Sequence, residues 1–380
     1  MERMILQGAR LFDGERFLEN QAILLEQGRI SGLCPLDDAP EGRRIALPGG
    51  TLAPGLVDLQ VNGGGGVMLD GDARLETLST ICAAHARLGA TTLLPTLITD
   101  SRAAMQSTLA AGIAAVGRVP GFAGLHLEGP HLDPRRPGCH PPQHIRPMEE
   151  GDLEILLEAK TALPALIVTL SPAAATPRQI ERLSEAGIIV SLGHSDCGFA
   201  QAQEAIAAGA RMVTHLYNAM SQLGSREPGL VGAALASGVS AGLIADGIHV
   251  HPASIRLALA AKQAGEVFLV SDAMACAGTG LDGFDLAGRR IARRDGALRL
   301  EDGTLAGADL SLPQAIRFMI ETVGIAPERA LAMATRIPAA QIGAPVGRIA
   351  PGLAADLVHF DETWRPTRIW QGGREIAPLA

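Results

Sequence analysis

Two histidines stand where a metal site would need them. His194 follows the apolar run 188–192, and His215 follows the run 211–214. If both runs are neighbouring parallel strands about 4.8 Å apart, the two imidazoles can reach one ion at Zn–N distances of about 2.0 to 2.1 Å. A single histidine at a strand end is more often a hydrogen-bonded structural residue, but two at equivalent strand ends favour metal ligands.

A third ligand follows another predicted strand. Glu128 ends the run 123–127 and precedes a Gly-Pro pair, so its carboxylate would lie at the same rim as the histidines. A glutamate in this place is by itself an ordinary salt-bridge partner. Together with His194 and His215 it completes three protein ligands with one open position, which is the pattern of a catalytic zinc site.

Two further residues near these ligands are open to more than one interpretation. Asp272 follows the run 267–271, where a turn or helix-cap aspartate is about equally frequent. Beside a bound metal, a carboxylate at this place can take a proton from water, so we interpret Asp272 as general base and then general acid. His126 lies two residues before Glu128 on the same strand face, and we predict for it a supporting or core role.

Eight short apolar runs, separated by alanine-rich amphipathic stretches, position these residues. We predict buried parallel strands at 56–61, 91–95, 123–127, 166–170, 188–192, 211–214, 241–245 and 267–271. Helical patterns between them include 74–88, 101–117, 176–186, 198–208 and 252–264. Eight alternating units predict an α/β fold of the TIM type, a (β/α)8 barrel, in which residues at the carboxyl ends of the strands share one face.

Both ends of the chain depart from this rhythm. Short strands joined by glycine turns are predicted there, at 2–9, 21–33, 43–47, 354–360 and 367–376. Each end alone is too small for a core. We therefore predict one small β-sandwich domain, built from residues 1–53 and 345–380, beside a barrel domain over residues 54–344.

Two insertions interrupt the predicted barrel, and both follow a strand. The first, 129–147, is rich in proline, glycine and histidine. The second, 279–305, contains Asp-Gly pairs at 282, 295 and 302, which are typical of hairpin turns. We expect both insertions on the face that carries the polar side chains.

Composition argues against several classes of partner. The 380 residues have a net charge of -8, and no basic tract suits a nucleic-acid backbone. No apolar run approaches the ~20 residues that cross a bilayer, and the N-terminus has no signal-peptide pattern. The five cysteines are scattered, odd in number and without a CxxC pair, which predicts reduced thiols and a cytoplasmic protein.

Eight motifs follow one another along nearly the whole chain. They are PGLVDLQVNG (54–63), HLEGP (126–130), GHSD (193–196), THLYNAM (214–220), REPGL (226–230), ADGIHV (245–250), VSDA (270–273) and GTLAG (303–307). Each is weak alone, whereas together they are specific. In this order they resemble the motifs of the N-acetylglucosamine-6-phosphate deacetylases of the amidohydrolase superfamily. The resemblance implies metal-dependent hydrolysis of the N-acetyl group of N-acetylglucosamine 6-phosphate to glucosamine 6-phosphate and acetate.

The resemblance also implies roles for individual residues. Glu128, His194 and His215 would hold the metal, Asp272 would be the catalytic acid and base, and His140 would orient or polarise the acetamide carbonyl. The substrate would meet the backbone near Cys139, the phosphate-region residues Asn218, Ala219, Arg226 and His249, and the acetyl-end residues Leu305, Ala306 and Gly307.

One departure from the superfamily bears on the metal. Many amidohydrolases carry His-x-His after the first strand, whereas this chain has Gln60, Val61 and Asn62, and amides are poor zinc ligands. The resemblance therefore implies one well-bound divalent ion per chain, zinc first, with iron or another divalent ion as alternatives. A second, weak site near Gln60 and Asn62 stays open. The family also implies a homodimer, in which Arg226 reaches the phosphate in the neighbouring subunit's site.

Three other functions stay open at this point. N-acetylgalactosamine 6-phosphate differs from the glucosamine substrate at a single hydroxyl, whose recognition depends on pocket geometry. Hydrolysis of cyclic amides or dipeptides is disfavoured by Arg226, whose fork of donors suits a phosphate. A non-catalytic sugar-phosphate binding protein would be expected to lose a metal ligand or Asp272, and none is missing.

Overall fold

Eight parallel strands, paired side by side in chain order, form the centre of the molecule. The computed structural model describes residues 3–379; residues 1 and 380, which belong to the predicted small domain, and residue 2, which opens the strand predicted at 2–9, lie outside the described residues. The barrel strands, β1 to β8, are Leu56–Val61, Ala90–Ile98, Gly124–Glu128, Ala165–Leu170, Ile189–Leu192, Met212–Val213, Ser240–Leu243 and Val267–Leu269. All their residues are buried, as expected for a parallel sheet covered on both faces.

The barrel is closed by contacts between the end of the first strand and the residues that follow the eighth strand. Val61, at the end of β1, forms a parallel bridge with Ala273. Next to it, the amide of Asp272 donates a hydrogen bond to the carbonyl of Gln60 at 3.0 Å. The predicted (β/α)8 barrel is therefore confirmed, and the carboxyl ends of its strands meet at one rim.

Helices follow the strands and cover the outside of the barrel. They are, as α1 to α10, Leu75–Ala86, Arg102–Ala115, Glu150–Lys160, Pro177–Glu185, Phe199–Ala207, Gly229–Ala236, Pro252–Ala261, Leu312–Phe318, Pro327–Met333 and Arg336–Gln341. Side-chain caps set several of their starts: Ser101 accepts from the amide of Ala104, Thr176 from that of Gln179 and His251 from that of Ala253. Across residues 3–379, no helix is long and apolar enough to cross a membrane.

The two chain ends build a second, smaller structure from two sheets. One sheet contains N-terminal strands alone, in the order Arg29–Pro35, Gln21–Glu26, Met4–Gln7 and Arg43–Ala46. The other sheet takes strands from both ends, in the order Arg374–Ile376, Pro366–Gln371, Leu357–Phe360, Thr51–Pro54, Arg10–Phe12 and Phe17–Leu18.

A separate apolar cluster lies between these two sheets. Ile23 belongs to the first sheet and Leu357 and Trp370 to the second, and all three are buried in this cluster. The sheets therefore form a sandwich, as predicted, and the antiparallel pairing of Thr51–Pro54 with Leu357–Phe360 joins the chain ends directly. The boundaries placed at 53/54 and 344/345 stay a prediction.

Both insertions begin at the carboxyl ends of barrel strands, β3 and β8. The first consists of turns and one short 3-10 helix at Pro142–His144. The second contains a three-stranded antiparallel sheet, called the hairpin sheet below, with strands Gly283–Leu286, Arg289–Arg294 and Ala297–Arg299. After it, an isolated antiparallel bridge between Arg299 and Leu305 returns the chain to the rim.

The turns of the hairpin sheet agree only in part with the sequence prediction. The Asp-Gly pair at 295 forms the second tight turn, with both residues at positive φ. The pair at 282 is not a turn, because Gly283 begins the first strand. The first turn lies instead at Ala287 and Gly288, with φ of 49° and 75°. Alanine is disfavoured in this conformation, so its presence did not indicate a turn.

Candidate active site

The three predicted metal ligands meet at the rim of the barrel. Glu128 ends β3, His194 follows β5 and His215 follows β6, and all three are buried. Nε2 of His215 lies 2.9 Å from Oε1 of Glu128 and 3.1 Å from Nε2 of His194, which is itself 3.3 Å from that oxygen. The ligand atoms all lie within 4.8 Å of one another, close enough to share one ion.

Hydrogen bonding and charge define the donor set. Nδ1 of His194 lies 2.9 Å from the carbonyl oxygen of Arg136, which can only accept, so Nδ1 carries the proton and Nε2 keeps a lone pair. Burial opposes ionisation of Glu128, but the imidazoles beside it bring its pKa well below the ordinary value. Nδ1 of His215 has no partner among the described residues. Two imidazole nitrogens and a carboxylate fit a divalent ion such as zinc.

An unusual backbone conformation directs these side chains. The φ angles of His194, His215 and Asp272 are 44°, 31° and 50°. Residues other than glycine seldom adopt this left-handed region, and each such residue costs of order 1 to 3 kcal/mol. A left-handed residue turns the chain sharply where the strand ends, so the three side chains face one point. Histidine and aspartate are enriched in this region relative to most other residue types, but they adopt it too seldom for the sequence to predict it.

A chain of hydrogen bonds crosses the barrel interior beneath the ligands. His126 donates from Nδ1 to the carbonyl of Leu59 at 2.9 Å and accepts at Nε2 from the hydroxyl of Thr169 at 2.7 Å. The hydroxyls of Thr169, Thr214 and Ser191 continue the chain at 2.6 Å steps. Burial lowers the pKa of His126 to about 4, so its ring is neutral with both nitrogens satisfied. The residue has the core role expected for it.

Asp272 lies beside the ligand cluster and accepts hydrogen bonds from two amide side chains. Nδ2 of Asn62 donates to its Oδ1 at 2.7 Å, and Nε2 of Gln60 donates at 3.1 Å. The same nitrogen of Gln60 donates to Oε1 of Glu128 at 3.1 Å. Burial, together with the negative charge of Glu128, raises the pKa of Asp272 to about 6. Its carboxylate is therefore suited to proton exchange near neutral pH.

His140 presents a hydrogen-bond donor to the same space. The backbone N–H of Thr99 donates to its Nδ1 at 3.2 Å, so the proton of the neutral ring must be on Nε2. Burial lowers the pKa of His140 to about 3, which keeps the ring neutral. Nε2 lies 3.7 Å from Oε2 of Glu128, and the ring centre lies 4.3 Å from that of His194. Thr99 carried no sequence signal for this role.

A cavity of about 530 Å³ opens above these groups. Among the residues predicted to bind substrate, its walls include Cys139, His140, Asn218, Ala219, His249, Leu305 and Gly307. Ala306 is fully buried and outside the lining, and Arg226 is exposed and also outside it. At Gly307, with φ of 60°, a Cβ atom would lie 2.5 Å from Cγ of Met274, so only glycine fits this wall.

An acidic neighbour orients His249. Its Nδ1 lies 2.6 Å from Oδ2 of Asp246, so Nδ1 carries a proton and Nε2 is left for a ligand. Burial raises the pKa of Asp246, but the hydrogen bond from His249 brings it below the ordinary value. Asp246 was not among the residues singled out in the sequence, although it lies in the ADGIHV motif.

The arginines of the cavity wall were not predicted from the sequence. Arg135 and Arg136 come from the first insertion, and Arg299 comes from the hairpin sheet. The first two are held by aspartates, with Arg135 2.7 Å from Asp133 and Arg136 2.7 Å from Asp196. The sequence signal that could have identified them is the pair of adjacent arginines within an insertion at the rim of the barrel.

The arrangement suits the addition of water to an amide. The ligand cluster fits a Lewis-acidic cation, Asp272 can exchange protons, and His140 offers a neutral N–H donor. All three functions face one cavity, which is the requirement for acting on a single bond.

Comparisons with known proteins place this geometry in a family. The model of the Amidohydrolase family matches residues 51–376. The N-acetylgalactosamine-6-phosphate deacetylase of Shewanella sp. (strain ANA-3) is 41% identical over 97% of this chain and 95% of that protein. The N-acetylglucosamine-6-phosphate deacetylase of Haemophilus influenzae is 32% identical over 92% of each chain.

Solved structures lead to the same family. The crystal structure of N-acetylglucosamine-6-phosphate deacetylase from Pasteurella multocida has a TM-score of 0.94 and 33% identity, over 99% of this chain and all of that one. The corresponding enzyme from Mycobacterium smegmatis has a TM-score of 0.89 and 29% identity, over 98% of this chain and all of that one. Because the family model covers the whole barrel and enters the sandwich at both ends, and because relatives align along almost the full length, this chain belongs to the amidohydrolase family.

Proposed function

We propose that this chain hydrolyses the N-acetyl amide of an N-acetylhexosamine 6-phosphate, with N-acetylglucosamine 6-phosphate as the first candidate substrate. The products would be acetate and the free amino-sugar phosphate. The observation that carries the proposal is the convergence of Glu128, His194 and His215 on one point beside Asp272 and His140. The names of the Haemophilus and Pasteurella relatives support the substrate class.

The chain's own residues divide the chemistry between them. A divalent cation held by Glu128, His194 and His215 would supply Lewis acidity, polarising the amide carbonyl and acidifying water. Asp272 accepts a proton from the attacking water. His140 donates a hydrogen bond from Nε2 to the carbonyl oxygen as negative charge develops there. Asp272 then returns the proton to the leaving nitrogen, because an amine leaves poorly until it is protonated.

Zinc, at one ion per chain, is the first candidate for the cation. The Glu-His-His donor set supports it, although iron or another divalent ion would also accept these ligands. The amides of Gln60 and Asn62 direct N–H groups at the carboxylates of Glu128 and Asp272. These N–H groups occupy carboxylate lone pairs that a second ion would need as ligands. The hydrogen bonds therefore favour a single ion.

The phosphate would bind away from the reacting amide. Asn218, Ala219 and His249 line the cavity, and Nε2 of His249 makes no hydrogen bond within residues 3–379. Arg226 is exposed and outside this chain's own cavity, which suits a residue that reaches the site of a neighbouring subunit. The proposal therefore includes a homodimer with Arg226 shared across the interface. Leu305 and Gly307 enclose the acetyl end, with the buried Ala306 between them, and the backbone at Cys139 meets the sugar.

N-acetylgalactosamine 6-phosphate is the second candidate substrate. The Shewanella relative named for this epimer is 41% identical, against 32% for the Haemophilus relative named for the glucosamine epimer.

The five cysteines are free and four of them are buried, which supports the proposed cytoplasmic location.

An acetate-release assay with both epimers, each with and without the 6-phosphate, tests the proposed function. The phosphorylated sugars should be hydrolysed with a kcat/KM ~10 to 150 times higher, the factor for ~1.5 to 3 kcal/mol of charged hydrogen bonding. Preference for a cyclic amide or dipeptide would identify another amidohydrolase activity. Binding of the sugar phosphate without turnover, at full metal content, would identify a binding protein.

Metal analysis tests the ligand set. Chelation should abolish turnover, zinc should restore it, and elemental analysis should find about one tightly bound equivalent per chain. His215→Ala should lose metal and activity together, because it removes a ligand. His251→Ala, which changes an exposed helix-capping residue, is the control and should keep both. Two tight ions that are both required for turnover would contradict the single-metal centre.

Asp272→Asn should keep the metal and still bind substrate but lose several orders of magnitude in kcat. The substitution removes the proton acceptor without removing a ligand. Steady-state kinetics and elemental analysis on the same preparation give both readouts. If the variant kept more than about a tenth of the rate, a loss under ~1.4 kcal/mol, the acid-base role would belong to another group.

Arg226→Ala should raise KM for the 6-phosphate substrate by ~10- to 100-fold, as expected for a lost charged hydrogen bond. It should barely change the slow hydrolysis of the unphosphorylated sugar. Arg118→Ala, at another exposed arginine, is the matched control. Equal losses on both substrates would mean that Arg226 supports the fold.

Mixing the Asp272→Asn and Arg226→Ala chains tests the shared site. A mixed dimer has one site with both residues intact, so activity should exceed that of either parent. No increase after confirmed subunit exchange would place Arg226 in its own chain's site.

A further inference from the structure

The hairpin sheet packs against the first insertion across the mouth of the barrel. A single apolar cluster contains Cys139 from the first insertion and Phe284, Leu286, Ile291 and Leu298 from the hairpin sheet. Cys139 is only 8% exposed. The sheet therefore packs directly against Cys139, the residue that immediately precedes His140.

Arg289 adds a polar contact at the same place. It opens the second strand of the hairpin sheet, and its guanidinium donates a hydrogen bond to the carbonyl oxygen of Cys139. That carbonyl and the N–H of His140 belong to one peptide group. The N–H donates to the carbonyl of Pro137 at 3.1 Å. Both polar ends of the peptide group are thus held, one by its own turn and the other by Arg289.

The orientation of this peptide group bears directly on the imidazole. A planar peptide turns as a unit, so its orientation places the N and Cα atoms of His140, from which the side chain projects. The ring itself is held at Nδ1 by the backbone N–H and the hydroxyl of Thr99, at 3.2 Å and 2.8 Å. With Nδ1 held by Thr99, the position of Nε2 over the ligand cluster depends on the backbone that carries the ring.

The neighbouring arginine on the same strand makes different contacts. Arg290 lies 3.0 Å from Asp282 and 3.9 Å from Asp285, with 55% of its side chain exposed. Successive residues of a strand point to opposite faces, which explains why Arg289 reaches the first insertion and Arg290 does not. Arg290 is therefore a matched control of the same residue type.

We infer that Arg289 is a positioning residue for His140: by fixing the Cys139–His140 peptide group, it holds the imidazole donor in place for the reacting carbonyl. The hairpin sheet is then a working part of the active site, and the guanidinium of Arg289 is its polar link to His140. The kinetic part of this inference rests on the proposed deacetylation, whereas the structural part does not.

Kinetics of Arg289→Ala test the inference. A small displacement of a catalytic donor can cost up to ~100-fold in rate, so kcat should fall ~10- to 100-fold while KM changes less than ~3-fold and the metal content is unchanged. Arg290→Ala should stay within ~2-fold of the wild type. Arg289→Lys, which keeps a cationic donor, should recover part of the loss and also serves if the alanine variant does not fold. A change confined to KM would overturn the inference.

A double-mutant cycle shows whether Arg289 acts through His140. In the His140→Ala background, Arg289→Ala should cost less than ~2-fold in kcat, because the residue to be positioned is gone. If the two losses multiply instead, Arg289 acts independently of His140 and the inference is wrong.

Histidine NMR provides a readout that needs no turnover. The ring signals of His140 in the zinc-loaded protein are assigned by their disappearance in His140→Ala. They should shift or broaden in Arg289→Ala and stay unchanged in Arg290→Ala. Unchanged His140 signals in Arg289→Ala would refute the positioning role. A clear shift in a protein that hydrolyses neither epimer would refute the proposed function and leave the positioning role intact.

Discussion

The site depends on the close approach of three ligand atoms. Two imidazole nitrogens and one carboxylate oxygen all lie within 3.3 Å of one another. Lone pairs and negative charge at such distances repel, and a cation between them turns the repulsion into binding energy. The left-handed backbone at His194 and His215 adds strain at the same point. A continuous ring of buried strands supplies the rigidity that keeps these groups together, so an ion bound there would stabilise the folded barrel.

Charge balance supports the proposal of a single ion at this centre. Glu128 and Asp272 carry two negative charges when ionised, and one divalent cation brings the sum to zero in a buried environment, where uncompensated charge is costly. Gln60 links the two carboxylates through a single nitrogen, and Asn62 adds a second donor to Asp272. A second divalent ion would add two positive charges that no further carboxylate of this cluster offsets.

The sequence was informative where a residue type has a strong structural meaning. Buried parallel strands are continuous apolar runs, and the polar residue that ends such a run lies at the rim, so the barrel and Glu128, His194 and His215 could be predicted. Contacts made by backbone atoms do not depend on the residue type, so the sequence does not indicate them. The amide of Thr99 that fixes the tautomer of His140, and the carbonyl of Cys139 that receives Arg289, are available at any residue type. The turn at Ala287 was missed for a related reason, because the pairing of Leu286 with Arg289 closes a tight turn that places alanine in a conformation it disfavours by itself.

The pairing of Thr51–Pro54 with Leu357–Phe360 links strands that are more than 300 residues apart. Chains are synthesised from the N-terminus and domains fold as units while they emerge. All eight barrel strands leave the ribosome before Leu357 does, so the barrel can assemble while the edge of Thr51–Pro54 still lacks its partner. Unpaired strand edges are sites of aggregation. The sandwich is therefore begun first and finished last, and its completion covers the edge that Thr51–Pro54 leaves open in the newly made chain.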